Sequence, residues 1–175
     1  MLMCRTKDPE KIVAMASILI LGGAIPLAAV VIAQFGFHLH PCHFCLLERY
    51  PYGVVMLLGG LSLLAERGGL EWRVIVVLGI YALLSTAILG ILHTGIEQHL
   101  VAYTGGCVAQ APADGSLAAL KAAIENAPVV SCDQPAAMFL GLSMATWNVL
   151  WACIVIAFAV GQFRFDRMRY VSAHA

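Results

Sequence analysis

Four long stretches of the chain are apolar on every side of a helix instead of along one stripe. Residues 12–37, 74–96 and 138–163 contain no charged side chain, and 45–65 contains only Glu48 and Arg49. A helix that is apolar all round is buried or membrane-spanning, and about 20 such residues cross a hydrocarbon core of about 30 Å. The pattern therefore predicts four spanning helices at 12–37, 45–65, 74–96 and 138–163. A signal-peptide apolar region is only about 7–15 residues long, so the first stretch reads as an uncleaved span. Pro26 and the Gly22-Gly23 pair predict a bend in it.

The start of the second span is less obvious, because Pro51 suits the first turn of a helix. Starting there leaves about 15 residues before Glu66, or about 22 Å at 1.5 Å each. Starting near Cys45 gives about 31 Å by the same rise, which is enough to span. Length therefore favours a helix from Cys45, with Pro51 removing one early hydrogen bond.

Polar residues gather at 1–11, 38–44, 66–73, 97–137 and beyond 163. Most connections are short, as in an antiparallel four-helix bundle. The segment 97–137 is much longer than usual and is expected to carry function. Within it, Asp114 or Ser116 can cap a short helix at 117–126, stopped before Pro128. Leu117, Leu120 and Ile124 would share one face and rest on the membrane interface. An Ala-rich linker is the equal alternative. The expected fold is an all-α membrane protein: one domain over 1–175, a four-transmembrane-helix antiparallel bundle with one long outer loop.

Composition agrees. The 175 residues are 61% hydrophobic and 11% charged, against roughly a quarter charged in a soluble domain. The formal net charge is zero, so no basic footprint recommends a nucleic-acid partner. Arg5, Lys7, Lys11, Arg67, Arg73, Arg164, Arg167 and Arg169 all fall on the side of the termini, whereas only Arg49 and Lys121 fall on the other. By the positive-inside rule the termini are cytoplasmic.

That orientation sorts the cysteines. Cys42, Cys45, Cys107 and Cys132 lie outside, where disulfides persist. Cys4 lies in the reducing cytoplasm, and Cys153 lies within the fourth span as a small packing residue. Four outer cysteines read as two pairs, with three connectivities open.

Cys42-x-x-Cys45 at a helix N-terminus favours thiolate over thiol. Arg49, four residues after Cys45, shares its face and adds a guanidinium that also suits an anionic or carbonyl ligand. Glu48 is expected to point to the headgroups or to pair with Arg49. An inert staple is a poor alternative, because so small a loop closes little chain entropy. His38, His40, Cys42, His43 and Cys45 offer a rival zinc or copper site, though the spacing matches no common finger. Covalent haem is excluded in its usual form, since Leu46 follows Cys45. His93 inside a span must face the bundle or a ligand. His99 and His174 read as solvated.

The motifs Pro41-Cys42-x-x-Cys45-x-x-Glu48-Arg49, His93-Thr94-Gly95-Ile96-Glu97, Cys107, and Cys132 followed by Phe139-Leu140-Gly141-Leu142-Ser143-Met144-x-x-Trp147-Asn148 together resemble the bacterial disulfide bond formation protein B (DsbB) family. The likeness covers all four spans and both cysteine pairs. It implies a multi-pass protein of the bacterial inner membrane, in contact with the lipid bilayer, with its redox cysteines periplasmic. It also implies an enzyme that reoxidises a periplasmic DsbA-like thioredoxin-fold protein and passes the electrons to ubiquinone or menaquinone. By motif position, Cys107–Cys132 would be the pair attacked by the partner, with Cys107 forming the mixed disulfide. Cys132 would exchange with Cys42 and free Cys45, which lies against the quinone, with Arg49 and His93 as further quinone contacts. DsbA is itself a strong oxidant, so an acceptor stronger still is required, and a quinone suits. Ala145 stands where the family often has proline, and His43-Phe44 is an unusual pair between the cysteines. A vitamin K epoxide reductase-like enzyme is the nearest alternative, but there the loop cysteines precede the Cys-x-x-Cys. A metal-binding or structural membrane protein is the alternative from another class.

Overall fold

The computed structural model describes residues 9–66, 69–102, 116–117, 121 and 132–174. Among these the chain is mostly helical. The order is α1 (Pro9–Val31), a π-helical turn (Ile32–Gly36), α2 (His43–Leu47), α3 (Arg49–Ser62), α4 (Leu70–Glu97), a hairpin of β1 (Met138–Phe139) and β2 (Leu142–Ser143), and α5 (Met144–His174). Three stretches, Val13–Gly36, Leu70–Glu97 and Met144–Met168, are long and apolar enough to cross a membrane. The expected 117–126 helix falls almost wholly outside the described residues; Leu117 and Lys121, which belong to it, are helical.

The expected second helix is divided. α2 and α3 meet at Glu48, leaving α3 with 14 residues. Pro51 explains the division, because it has no N–H to offer the Leu47 carbonyl and its ring crowds that oxygen. The helix resumes at Arg49, so Pro51 occupies the first turn, where a missing N–H matters least. Upstream, Cys42 caps α2 from an extended conformation, its sulfur accepting the Cys45 N–H at 3.3 Å.

The last span also begins later than expected. Leu140 and Gly141 have φ of 52° and 80°, both left-handed, as a type I′ hairpin turn requires. This turn pairs Met138 with Ser143 and Phe139 with Leu142, so a small hairpin interrupts the all-helical expectation. The Trp147 indole N–H donates to the Phe139 carbonyl at 2.9 Å. Ser143 then starts α5, its hydroxyl accepting the Thr146 N–H at 3.2 Å, a capping arrangement that satisfies one free donor.

α1 packs on α3 and α5, and α4 packs on the same two helices, so the four long elements close a ring. Met15, Leu19, Tyr52, Val55, Trp72, Val76, Leu83, Val155 and Ala159 form its core. Large apolar residues such as Leu57, Tyr81 and Phe158 face outward, as lipid solvation allows. Cys153 is exposed on that outer face and not packed as expected.

Two details fix how α1 is held. Pro26 has no N–H for the Gly22 carbonyl, four residues earlier. That carbonyl instead accepts the Trp151 indole N–H from α5 at 2.9 Å, the kind of substitute partner a proline in a spanning helix needs. At Gly23, an added Cβ would lie 2.6 Å from both the Tyr52 carbonyl oxygen and Met56 Cγ. Small residues at membrane helix interfaces permit such close backbone approach.

Gly23→Ala should destabilise the bundle by about 1–3 kcal/mol, the usual cost of overpacking. Gly53→Ala, with nothing within 4 Å of the new Cβ, should instead stabilise by up to about 1 kcal/mol through helix propensity. Unfolding of both variants in detergent checks the opposite signs.

Candidate active site

The end of α1, the α2–α3 junction, the end of α4 and the start of α5 meet at one end of the ring. Their side chains join there in a connected polar chain. Cys42 and Cys45 are free thiols, with the Cys42 S–H donating to Cys45 Sγ at 3.0 Å. His93 Nε2 lies 3.4 Å from Cys42 Sγ. On the ring's other side, His93 Nδ1 lies 3.0 Å from Glu48 Oε1. Glu48 Oε2 accepts the Asn148 amide N–H at 2.9 Å, and Asn148 Oδ1 accepts the Tyr52 hydroxyl. Phe44 stacks on the His93 ring, with centroids 5.6 Å apart and an interplanar angle of 28°. Thr86 donates to the Glu48 carbonyl at 3.4 Å.

Glu48 is therefore not a headgroup contact or a partner of Arg49. It is 7% exposed and faces inward, with its carboxylate between His93 of α4 and Asn148 of α5. Arg49 donates instead to Gln34 Oε1 at 2.8 Å. Among the described residues, the Nε of Arg49 is buried with no hydrogen-bond partner. Cys45 and Arg49, which spacing puts on one helix face, both line one cavity of about 410 Å³. His93 lines it as well, while Ala29, Ala33 and Trp151 make its sides apolar.

Cys132 is buried and packs with Cys42 and Ile96, with Phe44 and Cys45 alongside. The fourth expected site residue, Cys107, lies outside the described residues. The hydrogen bond that Cys42 gives to Cys45, together with burial, pushes the Cys42 thiol up to about 12. Burial also raises Cys132. The donor atoms brought together are not those of the rival metal set weighed from the sequence. Cys42, Cys45 and His93 bring three donor atoms within 4.8 Å of one another, whereas His38 and His40 are exposed and His43 is half-buried.

Sequence reasoning missed the inward role of Glu48 and the parts played by Asn148, Tyr52 and Gln34. One signal was present: a polar Asn or Gln inside an apolar span needs a partner.

A family model for the disulfide bond formation protein DsbB matches residues 13–162. The chain belongs to the DsbB family. It is also 31% identical over 153 residues to the uncharacterized protein RP370 of Rickettsia prowazekii (strain Madrid E), covering 86% of each chain. No solved structure matches it. Membership makes this a membrane oxidoreductase of disulfide formation, and the paired thiols at the mouth of an apolar cavity are the chemistry such a protein needs.

At pH 7, a thiol held near 12 carries on the order of a thousandfold less thiolate than a free cysteine near 8.5. A small alkylating agent should therefore modify Cys45 before Cys42 in the reduced protein. Peptide mass spectrometry over a time course checks this, and equal rates would contradict it.

Proposed function

We propose that the protein is a thiol:quinone oxidoreductase of the bacterial inner membrane. It reoxidises a periplasmic DsbA-like dithiol oxidase and passes the electrons to ubiquinone or menaquinone. The observation that carries this reading is that Cys45 and Arg49 both line one largely apolar cavity.

The cavity suits a quinone in two respects. Its sides are apolar, as a lipid-soluble molecule needs. Arg49 lines it as well, and a guanidinium is suited to a ring carbonyl. When bound, a quinone supplies a two-electron, two-proton acceptor that diffuses in lipid. The protein's part is to hold it: Gln34 fixes the guanidinium, Cys45 and His93 line the cavity, and apolar walls exclude water.

In the relay we propose, reduced partner attacks the Cys107–Cys132 pair at Cys107. Cys132 then exchanges with Cys42, freeing Cys45 to face the acceptor. The packing of Cys132 against Cys42 supports the middle exchange. The second span is α2 and α3 taken together. From 43 to 62 they reach about 30 Å at helical rise, which completes four spans with both termini cytoplasmic. The four cysteines then lie in the periplasm.

Purified protein supplied with quinone should oxidise a reduced DsbA-type protein catalytically. Cys45→Ser and Cys107→Ser should each abolish turnover, while Cys4→Ser and Cys153→Ser leave it unchanged. Arg49→Ala should raise the quinone KM about tenfold, the loss of one charge-assisted hydrogen bond of roughly 1.5 kcal/mol. Turnover surviving Cys45→Ser would sink the relay.

A second reading has one observation in its favour. The Cys42, Cys45 and His93 donor set suits zinc or copper, one ligand short of a closed tetrahedral site. Stoichiometric metal retained through purification, without quinone reduction, would favour it.

A further inference from the structure

We propose that His93 is the proton acceptor for Cys42, and that Glu48, Asn148 and Tyr52 are positioning residues that keep its ring in the tautomer this requires. The inference rests on the disulfide-forming reading above, but not on which oxidant takes the electrons.

The direction of each hydrogen bond follows from what each group can do. An ionised carboxylate only accepts, so the 3.0 Å contact to Glu48 Oε1 places the proton of neutral His93 on Nδ1. Nε2 is then a lone pair, and it faces Cys42 Sγ at 3.4 Å. Glu48 is held in turn. Its second oxygen takes the Asn148 N–H at 2.9 Å, and the Asn148 oxygen takes the Tyr52 hydroxyl. The amide is thus fixed from both ends. Phe44 covers one face of the imidazole, so the ring keeps its plane. A buried carboxylate is costly unless fully partnered, and a plain structural tie would not need an acidic group here. A histidine oriented by a carboxylate beside a thiol is the arrangement that draws a proton from a nucleophile.

The single S–H proton of Cys42 sits between two acceptors, Cys45 Sγ at 3.0 Å and His93 Nε2 at 3.4 Å. Oxidising the pair breaks two S–H bonds and forms one S–S bond, releasing two electrons and two protons. An acceptor of the quinone class takes both electrons and both protons, so the step balances. Once Cys45 is committed to the new bond it can no longer hold the Cys42 proton. His93 then holds that proton in transit. When the disulfide is opened again and Cys42 leaves, the same imidazole returns it. The ionisable groups that face the ring are Cys42, Cys45, Glu48 and Glu97, whose Oε1 is 3.9 Å from Nε2, with Cys132 packed on Cys42 behind them.

The test isolates the pair in the full-length protein, in nanodiscs, on a Cys107→Ser, Cys132→Ser background. The reduced pair is oxidised with diamide, and the remaining thiols are trapped over time between pH 5 and 9. Neither a quinone nor a partner protein is needed, so failure of the proposed function and failure of this inference are separable. With His93 intact, the rate should fall towards low pH as the imidazole takes up a second proton and level off at higher pH, where Nε2 is free to accept. His93→Gln should slow oxidation about a hundredfold at pH 6, within the usual range for a general base, and make the rate rise in proportion to hydroxide. Glu48→Gln should move the midpoint of the profile by at least one pH unit, and Glu48→Asp should restore most of it. Should His93→Gln fail to fold, the two Glu48 variants decide the matter. Profiles of unchanged shape in the variants, with only stability lowered, would overturn the proposal.

Discussion

A carboxylate shut away from water must find all its hydrogen bonds within the protein. Glu48 does so with His93 from α4 and Asn148 from α5, while its own carbonyl takes the Thr86 hydroxyl. One side chain thereby ties the α2–α3 junction to both neighbouring helices at the end of the bundle that carries the cysteines. Most other contacts between the described helices are apolar, and in lipid such contact offers little preference between one register and the next. Polar partners at fixed heights supply that preference. The site is thus a structural clamp as well as a place for chemistry.

The two cysteines of the pair are not equivalent. Both line the cavity, but Cys42 is buried, caps α2 and borders His93 and Cys132, whereas Cys45 is more exposed. Arg49 serves the cavity more than the thiol. Its firm contact is Gln34, and the hydrogen-bond partner of Cys45 is Cys42.

Much of this was legible in the chain because lipid solvation writes itself into composition. Uninterrupted apolar runs placed α1 and α4 to within about six residues at each end, while α5 starts later than its run and extends well past it; spacing alone put Cys42, Cys45 and Arg49 together. Pro51 was visible, but weighing length above it favoured an unbroken helix from Cys45. Glu48, at the junction, keeps a helical conformation and faces inward, which its place in a polar Glu-Arg pair did not reveal. Asn148 stood out only as a polar residue in an apolar span, and nothing local named its partner, because its pairing with Tyr52 joins positions about a hundred residues apart. The hairpin at 138–143 was hidden for another reason. Leu140 is a residue that seldom takes a left-handed turn, so an apolar run concealed a reversal of the chain.

Pro26 makes a defect in α1 useful. It leaves the Gly22 carbonyl at a fixed height along the helix axis, and the Trp151 indole occupies it. Asn148 stands three residues before Trp151, on nearly the same face of α5. Sliding α5 by one turn, about 5.4 Å, would carry both contacts away together. The proline and the indole therefore act as a vernier between α1 and α5, setting from within the bundle the height at which Asn148 meets Glu48.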